Sequence, residues 1–484
     1  MTRKRCLLFA LGLLCTGNPA YALDIDKIEL PDMGDSSGTL ISPVQEQQLG
    51  AAFFRSLHAQ VAINQDAEID QYIEAIGHKL VTYSDAPAYP FHFFVVLDNA
   101  INAFAGPGGY IGVNSGLILT TEAESELASV MAHEIAHVTQ RHLYRAFEAA
   151  SRLSIPTAAA TLAALLLGTQ SPEMAQAAIM AIQAGSIQFQ IDFTRANEQE
   201  ADRIGMQTLS ASSFDPRSMP VFFERLQQSS RYYGQGVPEF LRTHPVTSSR
   251  ISDTRGRAEK YPYKQYPDSI GYLLTRAKLR VLTANDYASV LNYFAPRQTQ
   301  GTKLQRAVAR YGTGLVYLQS QKFEAAEAVF KELVEIYPEQ PQYATAFARV
   351  ALERQDYTIA LQRYREGLQR FTGNEALKQD YIMALLKAGK PQLAKQIVLM
   401  FDAKAQQQPV HLELLAQIYN DLKQPVESHR YLAEYYYAIG QTEAAILQIK
   451  LAQKSPGLNF YLSAILDERL GYFIHEEQER KRNQ

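Results

Sequence analysis

Cysteine is confined to Cys6 and Cys15, so the chain has no thiol beyond its first 22 residues. That absence excludes disulfides, a cysteine nucleophile and a thiolate-held metal from the rest of the protein, and leaves His, Asp and Glu as metal ligands. An excess of charge of one sign is also lacking. Lys and Arg number 47 against 50 Asp and Glu, for a formal net charge of -3. Arg3, Lys4 and Arg5 stand at the extreme N-terminus, so the remainder of the chain is more acidic still, and no basic surface for a nucleic-acid partner is expected. Long apolar runs are missing too. The N-terminal one, Cys6 to Cys15, is well short of the ~20 residues a spanning helix needs.

That N-terminal segment is laid out as a secretory signal. Its basic start and apolar run lead to Gly17-Asn18-Pro19 and the small-residue site Ala20-Tyr21-Ala22, which predicts cleavage after Ala22. Lipidation at Cys15 fits poorly, because Leu14 before it is large. Residues 23–43, with Pro31, Gly34 and Gly38, read as an extended arm. The remaining chain, drawn from a sequence that is 46% hydrophobic over 484 residues, is long enough for two or three cores.

The informative stretch is His133-Glu134-Ile135-Ala136-His137. Residues four apart share a helix face, so two imidazoles are offered to one divalent cation, and Glu134 is placed to act as a base on a water held there. Thr121 with Glu124 reads as a capping box for a helix starting near Glu122 and buried through Leu127, Val130 and Met131. A third ligand is still needed. The next helix carries Glu198-Gln199-Glu200-Ala201-Asp202, in which Glu198 and Asp202 share a face. Glu198 can complete a His-His-Glu set, Asp202 can fix the orientation of a ligating imidazole, and Glu200 points elsewhere.

Upstream, Val44 to His58 and Ala67 to Ser84 have helical spacing, whereas Phe91 to Leu97 and Tyr110 to Val113 read as strands around the turn Gly106-Pro107-Gly108-Gly109. The glycines suggest that Gly109, Tyr110, Ile111, Gly112 and Val113 form an edge strand to which an extended substrate adds, with a plain hairpin as the alternative. Downstream of the histidines, Ile155 to Leu167 and Met174 to Ile187 are apolar but too short to span a bilayer, and read as a packed hairpin, a cleft cover or a membrane contact.

These motifs resemble a known family. His133-x-x-x-His137 with Glu134, then Glu198-x-x-Ala201-Asp202, preceded by Asn102-Ala103-Phe104-Ala105 and Pro107-Gly108-Gly109 and followed by Thr243-His244-Pro245 and Arg250, are similar to the signatures of the HtpX/Ste24-like zinc endopeptidases. The resemblance implies one zinc ion per chain held by His133, His137 and Glu198, Glu134 as base, and Asp202 behind the ligands. The long membrane-spanning segments of HtpX have no counterpart here, which implies a soluble, exported member. His244, beside Pro245, belongs on a loop, where it would either stabilise the oxyanion or occupy the open zinc position as an inhibitory fourth ligand. His142, five residues past His137, is turned off the ligand face of an uninterrupted helix and reads as a bystander.

Past the Tyr- and Pro-rich passage 260–267 the composition changes. A period of about 34 residues relates Ala326 and Phe330 to Ala360 and Tyr364, to Ala394 and Val398, and to Ser428 and Leu432, the spacing of tetratricopeptide repeats. Stacked helix pairs of this kind present a concave groove for peptides and proteins.

The expected architecture is α+β and mostly α: a zinc metallopeptidase domain with a small β-sheet over residues 44–262, then an α-solenoid of tetratricopeptide repeats over residues 263–484. That layout is similar to a family of Gram-negative envelope peptidases. The similarity implies a periplasmic chain with outer-membrane β-barrel proteins as clients, contact with the barrel assembly machinery, and both assembly help and degradation of stalled clients. Two other classes stay open: a chaperone or adaptor whose groove binds clients while zinc is structural, and a peripheral membrane protein held by the 155–187 segment.

Overall fold

The computed structural model describes residues 42–147, 155–166, 195–232 and 238–482. The expected signal, all but the end of the arm, and the second limb of the 155–187 segment lie outside them. Helix α1 (Pro43–His58) opens on a capping box between Ser42 and Gln45. Helix α2 (Ala67–Val81) is capped by Asp66. The stripe Ile69, Ile73, Ile76 and Leu80 is buried as its spacing predicts, at about 1.5–3 kcal/mol per side chain.

Strands β1 (His92–Val96), β2 (Ala103–Ala105) and β3 (Tyr110–Asn114) form one sheet in the order β1-β3-β2. β3 runs parallel to β1, with His92 opposite Tyr110, and antiparallel to β2, with Ala103 opposite Val113. This overturns the edge-strand expectation for Gly109, Tyr110, Ile111, Gly112 and Val113. Tyr110 to Val113 lie in the central strand and Gly109 in the turn before it, so both ladder sides are taken and no peptide can add there. Gly112 is small for another reason: a Cβ would come 2.5 Å from the Phe104 ring and 2.9 Å from that of Phe94. It makes room for two core rings. The outer side of β2 has no strand against it among the described residues.

Helices α3 (Ser115–Thr120), α4 (Glu124–Thr139), α5 (His142–Phe147), α6 (Ile155–Leu166), α7 (Arg195–Ala211), α8 (Ser218–Tyr232), α9 (Glu239–Thr243) and α10 (Ser248–Ala258) come next. The described limb of the apolar hairpin, α6, buries Ala159, Leu162 and Ala163 in the same core as Leu49, Phe53 and Leu57 of α1. It is core packing, and no described helix is long and apolar enough to cross a membrane.

The expected Thr121/Glu124 capping box does not form. Helix α4 starts at Glu124 with no side-chain cap of its own. Its cap comes from far along the chain, where Asp268 Oδ1 accepts from the Glu124 N–H at 2.7 Å. Glu124 in turn accepts from the N–H and hydroxyl of Ser269, at 2.8 and 2.6 Å, and Ser269 caps α11 (Ile270–Leu282). Thr121 bonds Tyr272 OH instead, at 2.8 Å.

After α12 (Tyr287–Phe294) and α13 (Lys303–Gln319), helix succeeds helix to Arg482. Ala326, Phe330, Ala360, Tyr364, Ala394 and Val398 are fully buried, as the repeat period predicts. The fourth unit slips. In Pro425–Ala438 the buried residues are Val426, Ala433 and Tyr437, not Ser428 and Leu432. Ser428 still meets the preceding helix, its hydroxyl donating to Ala416 O at 2.9 Å, but the buried residues of this helix share a separate core with Ile449, Leu466 and Phe473 of the last two helices. Both ends of the array touch the first half of the chain. Lys278 lies 2.6 Å from Asp66 and 2.7 Å from Glu68, and Arg55 of α1 reaches Glu476 at 3.4 Å while lying over the Tyr437 ring.

Candidate metal centre

Helix α4 is buried from Glu124 to His137. Helix α7 crosses it so closely that a Cβ on Gly205 would stand 3.1 Å from the Ala132 carbonyl and the His133 nitrogen. The missing side chain lets the two backbones meet. That contact sets Glu198 and Asp202, one turn apart on α7, against the two histidines. From the other side α9 ends at His244. It hangs from the segment leading into β2, because the Phe240 N–H donates to Ile101 O at 3.1 Å.

One donor atom each from His133, His137, Glu198 and His244 lies within 4.8 Å of the others, and all four residues are buried. The separations are 3.0 Å between the two Nε2 atoms of His133 and His137, 3.4 Å from His133 Nε2 to His244 Nδ1, 3.4 Å from His137 Nε2 to Glu198 Oε1, and 3.1 Å from His244 Nδ1 to Glu198 Oε1. A tetrahedral cation with bonds of about 2.0–2.1 Å sets its ligands about 3.3 Å apart, so this donor set fits one. The electrostatics agree. Burial alone would depress His133, but the hydrogen bonds its ring donates to Asp202 and Glu198 raise it to about 9, whereas burial pushes His137 well below its ordinary value. Burial would lift Glu198, yet His244 and the hydrogen bonds from the histidines hold it well below the usual carboxylate range. A cluster that draws a proton onto one imidazole is a cluster that accommodates a cation.

Behind the donors stands a second layer. Asp202 Oδ1 lies 3.0 Å from His133 Nδ1. Arg250 of α10 donates from Nε and Nη2 to Asp202, both at 2.7 Å, and its Nη1 is 2.6 Å from Glu198 Oε2. In the sequence Arg250 has no role beyond its part in the family resemblance, because a lone arginine carries no spacing signal.

His142 is the larger miss. It is fully buried, with Nδ1 2.8 Å from His137 Nδ1 and Nε2 3.0 Å from Glu200 Oε2. The bystander reading extrapolates a helix that in fact ends at Thr139; Arg141 then takes φ 53 and swings His142 back over His137. If His137 ligates through Nε2, its Nδ1–H donates to His142, whose Nε2–H donates to Glu200, so one tautomer is fixed along the line. His142→Leu is expected to weaken metal binding about 10–100-fold, read by competition with a chelator, while His142→Gln, which keeps an acceptor, retains most of it.

Glu134 lies beside the cluster, its Oε1 3.5 Å from His244 Nε2. Both oxygens are buried, and among the described residues no hydrogen bond of ordinary geometry reaches either, although the Ala105 backbone of β2 is near enough to favour the carboxylate. Burial, partly opposed by His244 and His133, raises its pKa. Of the residues singled out from the sequence, His133, Glu134, His137, Glu198, Asp202 and His244 are thus brought together, and Gly109 to Val113 are not placed as an edge.

Comparison with known proteins gives this arrangement a family. Peptidase family M48 matches residues 67–258. A putative beta-barrel assembly-enhancing protease of Vibrio cholerae is 42% identical over 344 residues, covering 71% of this chain and 70% of that protein. The beta-barrel assembly-enhancing protease of Escherichia coli is 34% identical over 462 residues, 96% of this chain and 94% of that one. A mitochondrial metalloendopeptidase, OMA1, of Schizosaccharomyces pombe is 28% identical over 181 residues, 37% of this chain and 50% of its own. With identity of this degree running almost end to end, the chain belongs to the beta-barrel assembly-enhancing proteases of peptidase family M48, and is a metallopeptidase.

Proposed function

We propose that the chain is an exported zinc endopeptidase that attends the assembly of outer-membrane β-barrel proteins in the periplasm and degrades those that stall. The observation that carries the enzymatic part is the convergence of His133, His137, Glu198 and His244 on one point with Glu134 beside it. Nitrogen and oxygen donors in a four-point set suit zinc. When bound by His133, His137 and Glu198, zinc supplies Lewis-acid polarisation of a peptide carbonyl and acidifies water. Glu134 takes up the proton and returns it to the departing amine, a task helped by a carboxyl that burial has raised. Asp202 keeps His133 in one orientation. The peptide lies along the outer side of β2, whose backbone borders Glu134 and carries open ladder positions. The outer-membrane role draws support from the names of the two long relatives, and export from the signal-like first 22 residues. Client segments enter a recess of about 1080 Å³ between the start of α2 and the repeats, lined by Asp66, Arg349, Asp380, Lys387 and Glu413, charges that suit a polypeptide rather than a lipid.

His244 places Nδ1 among the donors, which favours the inhibitory fourth ligand over the oxyanion role. Zinc content and casein hydrolysis of the parent and of His244→Ala test both readings. One zinc per chain is expected, with proteolysis raised about tenfold if a tenth of the molecules are open at rest. A drop in activity at full zinc would assign the oxyanion role instead, and a parent without metal would sink the proposal. Four protein donors are also what a structural site shows, so a chaperone or adaptor with a structural ion is the second reading.

A further inference from the structure

A recess of about 300 Å³ lies among α11, α12 and α13, away from the donors of the metal centre, and is lined by Arg276, Arg280 and Arg297. Arg276 and Arg280 are one turn apart on α11 and share a face. The Arg280 and Arg297 guanidiniums lie over the ring of Tyr293, 3.9 and 3.8 Å from its centroid, so two forks are held at one tyrosine. Backbone carbonyls take part of the trio's hydrogen-bonding capacity: Arg276 donates to Leu119 O at 3.2 Å and Arg297 to Tyr293 O at 2.7 Å. No carboxylate does. Among the described residues no ion pair forms to any of the three; Asp268 acts on Arg276 through charge at longer range, and Arg280 feels Tyr293 on one side and Arg276 and Arg297, both of like sign, on the other. Burial and these two cations together hold Arg280 below its ordinary pKa. Arg280 and Arg297, crowded at one ring with no carboxylate in contact, repel one another and call for an anion. The walls beneath them are apolar, made by Leu273, Ala277, Phe294 and Val308.

We propose that this recess is a second ligand site, which captures the C-terminal carboxylate of a peptide whose last residue is apolar. The guanidinium fork matches a carboxylate in bidentate fashion. The apolar walls demand that the group carrying it be apolar too, and a volume at the lower limit of small-molecule sites admits one side chain and its carboxylate rather than an extended acyl chain. A peptidase meets such chain ends on its substrates and makes new ones with each cleavage. The site therefore holds a client by its terminus, at a distance in the fold from the bond-breaking groups.

Calorimetric titration of the full-length chain with N-acetyl-L-phenylalanine and with N-acetyl-L-phenylalaninamide tests the assignment. The acid is expected to bind saturably at one site, the amide at least about tenfold more weakly, and Arg280→Gln or Arg297→Gln to weaken the acid about tenfold or more while thermal melting stays in place. Arg297 is exposed and Arg280 partly so, and glutamine keeps part of the stem that lies on Tyr293. Equal affinity for acid and amide would overturn the proposal. So would acetate or inorganic phosphate competing as well as the acid, since that is anion screening only, or decanoate binding more tightly, which would assign a lipid acid. Binding of the acid that neither variant changes would place it elsewhere, the metal centre included, and would equally refute it.

Discussion

Glu134→Gln should leave the metal in place and lower proteolysis by about 10²–10⁴-fold, the contribution of a positioned general base. The substitution keeps the volume and removes one thing, the ability to take up a proton. Glu134 is not among the four donors that converge, so metal content is expected to stay at the parent value. Its carboxyl is buried and lifted by that burial, and a neutral amide in its place is easier to bury, so stability should rise slightly. Casein hydrolysis, metal analysis and thermal melting on the same preparation separate the cases. Loss of activity with metal and fold retained supports the base. Activity at the parent level would remove Glu134 from the chemistry, and retained client assembly with proteolysis gone would show that the repeats work without the peptidase.

The largest structural loss is expected at Arg250. Arg250→Met keeps the stem and removes the fork that satisfies Asp202 twice and Glu198 once. Breaking a buried ion cluster from one side costs about 3–5 kcal/mol, because the surviving charges stay buried and unpaired. Denaturant unfolding of chelator-treated chain should show that loss at neutral pH, and added metal should recover part of it by putting a cation back beside Glu198. The pH dependence has a definite sign. Burial would raise Asp202, but Arg250 and His133 hold it below its unfolded value, so its contribution to stability is present above the unfolded carboxylate pKa and disappears as pH falls through the folded one. The gap between parent and variant should therefore be widest near neutrality and narrow in acid. A gap under about 1 kcal/mol would mean that water reaches the cluster and the clamp is ornamental.

The metal helix and the helix of Glu198 are legible in the sequence because periodicity and motif coincide: each functional side chain lies on the same stripe as its neighbour one turn away. The repeats are legible for the same reason, through small and aromatic residues that recur wherever two helices must touch. What escapes is whatever depends on tertiary placement. Aromatic and β-branched residues announce strands near Phe93 and Ile111 but carry no information on which strand lies in the middle, so glycine content points to an edge at Tyr110–Val113 when the edges are His92–Val96 and Ala103–Ala105. His142 is hidden by a helix that stops at Thr139. Local spacing assigns the cap of α4 to its neighbour in sequence, Thr121, when the acceptor arrives from Asp268. In the fourth repeat the period continues on paper while the helix turns to a new core.

The exchange of caps between Glu124 and the Asp268–Ser269 pair also sets a clock. A chain made from its N-terminus has every donor of the metal centre through His244, and Arg250 behind them, before residue 268 exists. Until then the first turn of the helix bearing His133 and Glu134 lacks the acceptor for its Glu124 N–H, and a missing cap is worth about 1 kcal/mol of fraying at that end. The helix that carries His133 and Glu134 and the helix α11 that opens the C-terminal half are therefore completed by one exchange of caps, so the growing chain finishes its metal helix only as it begins that second half.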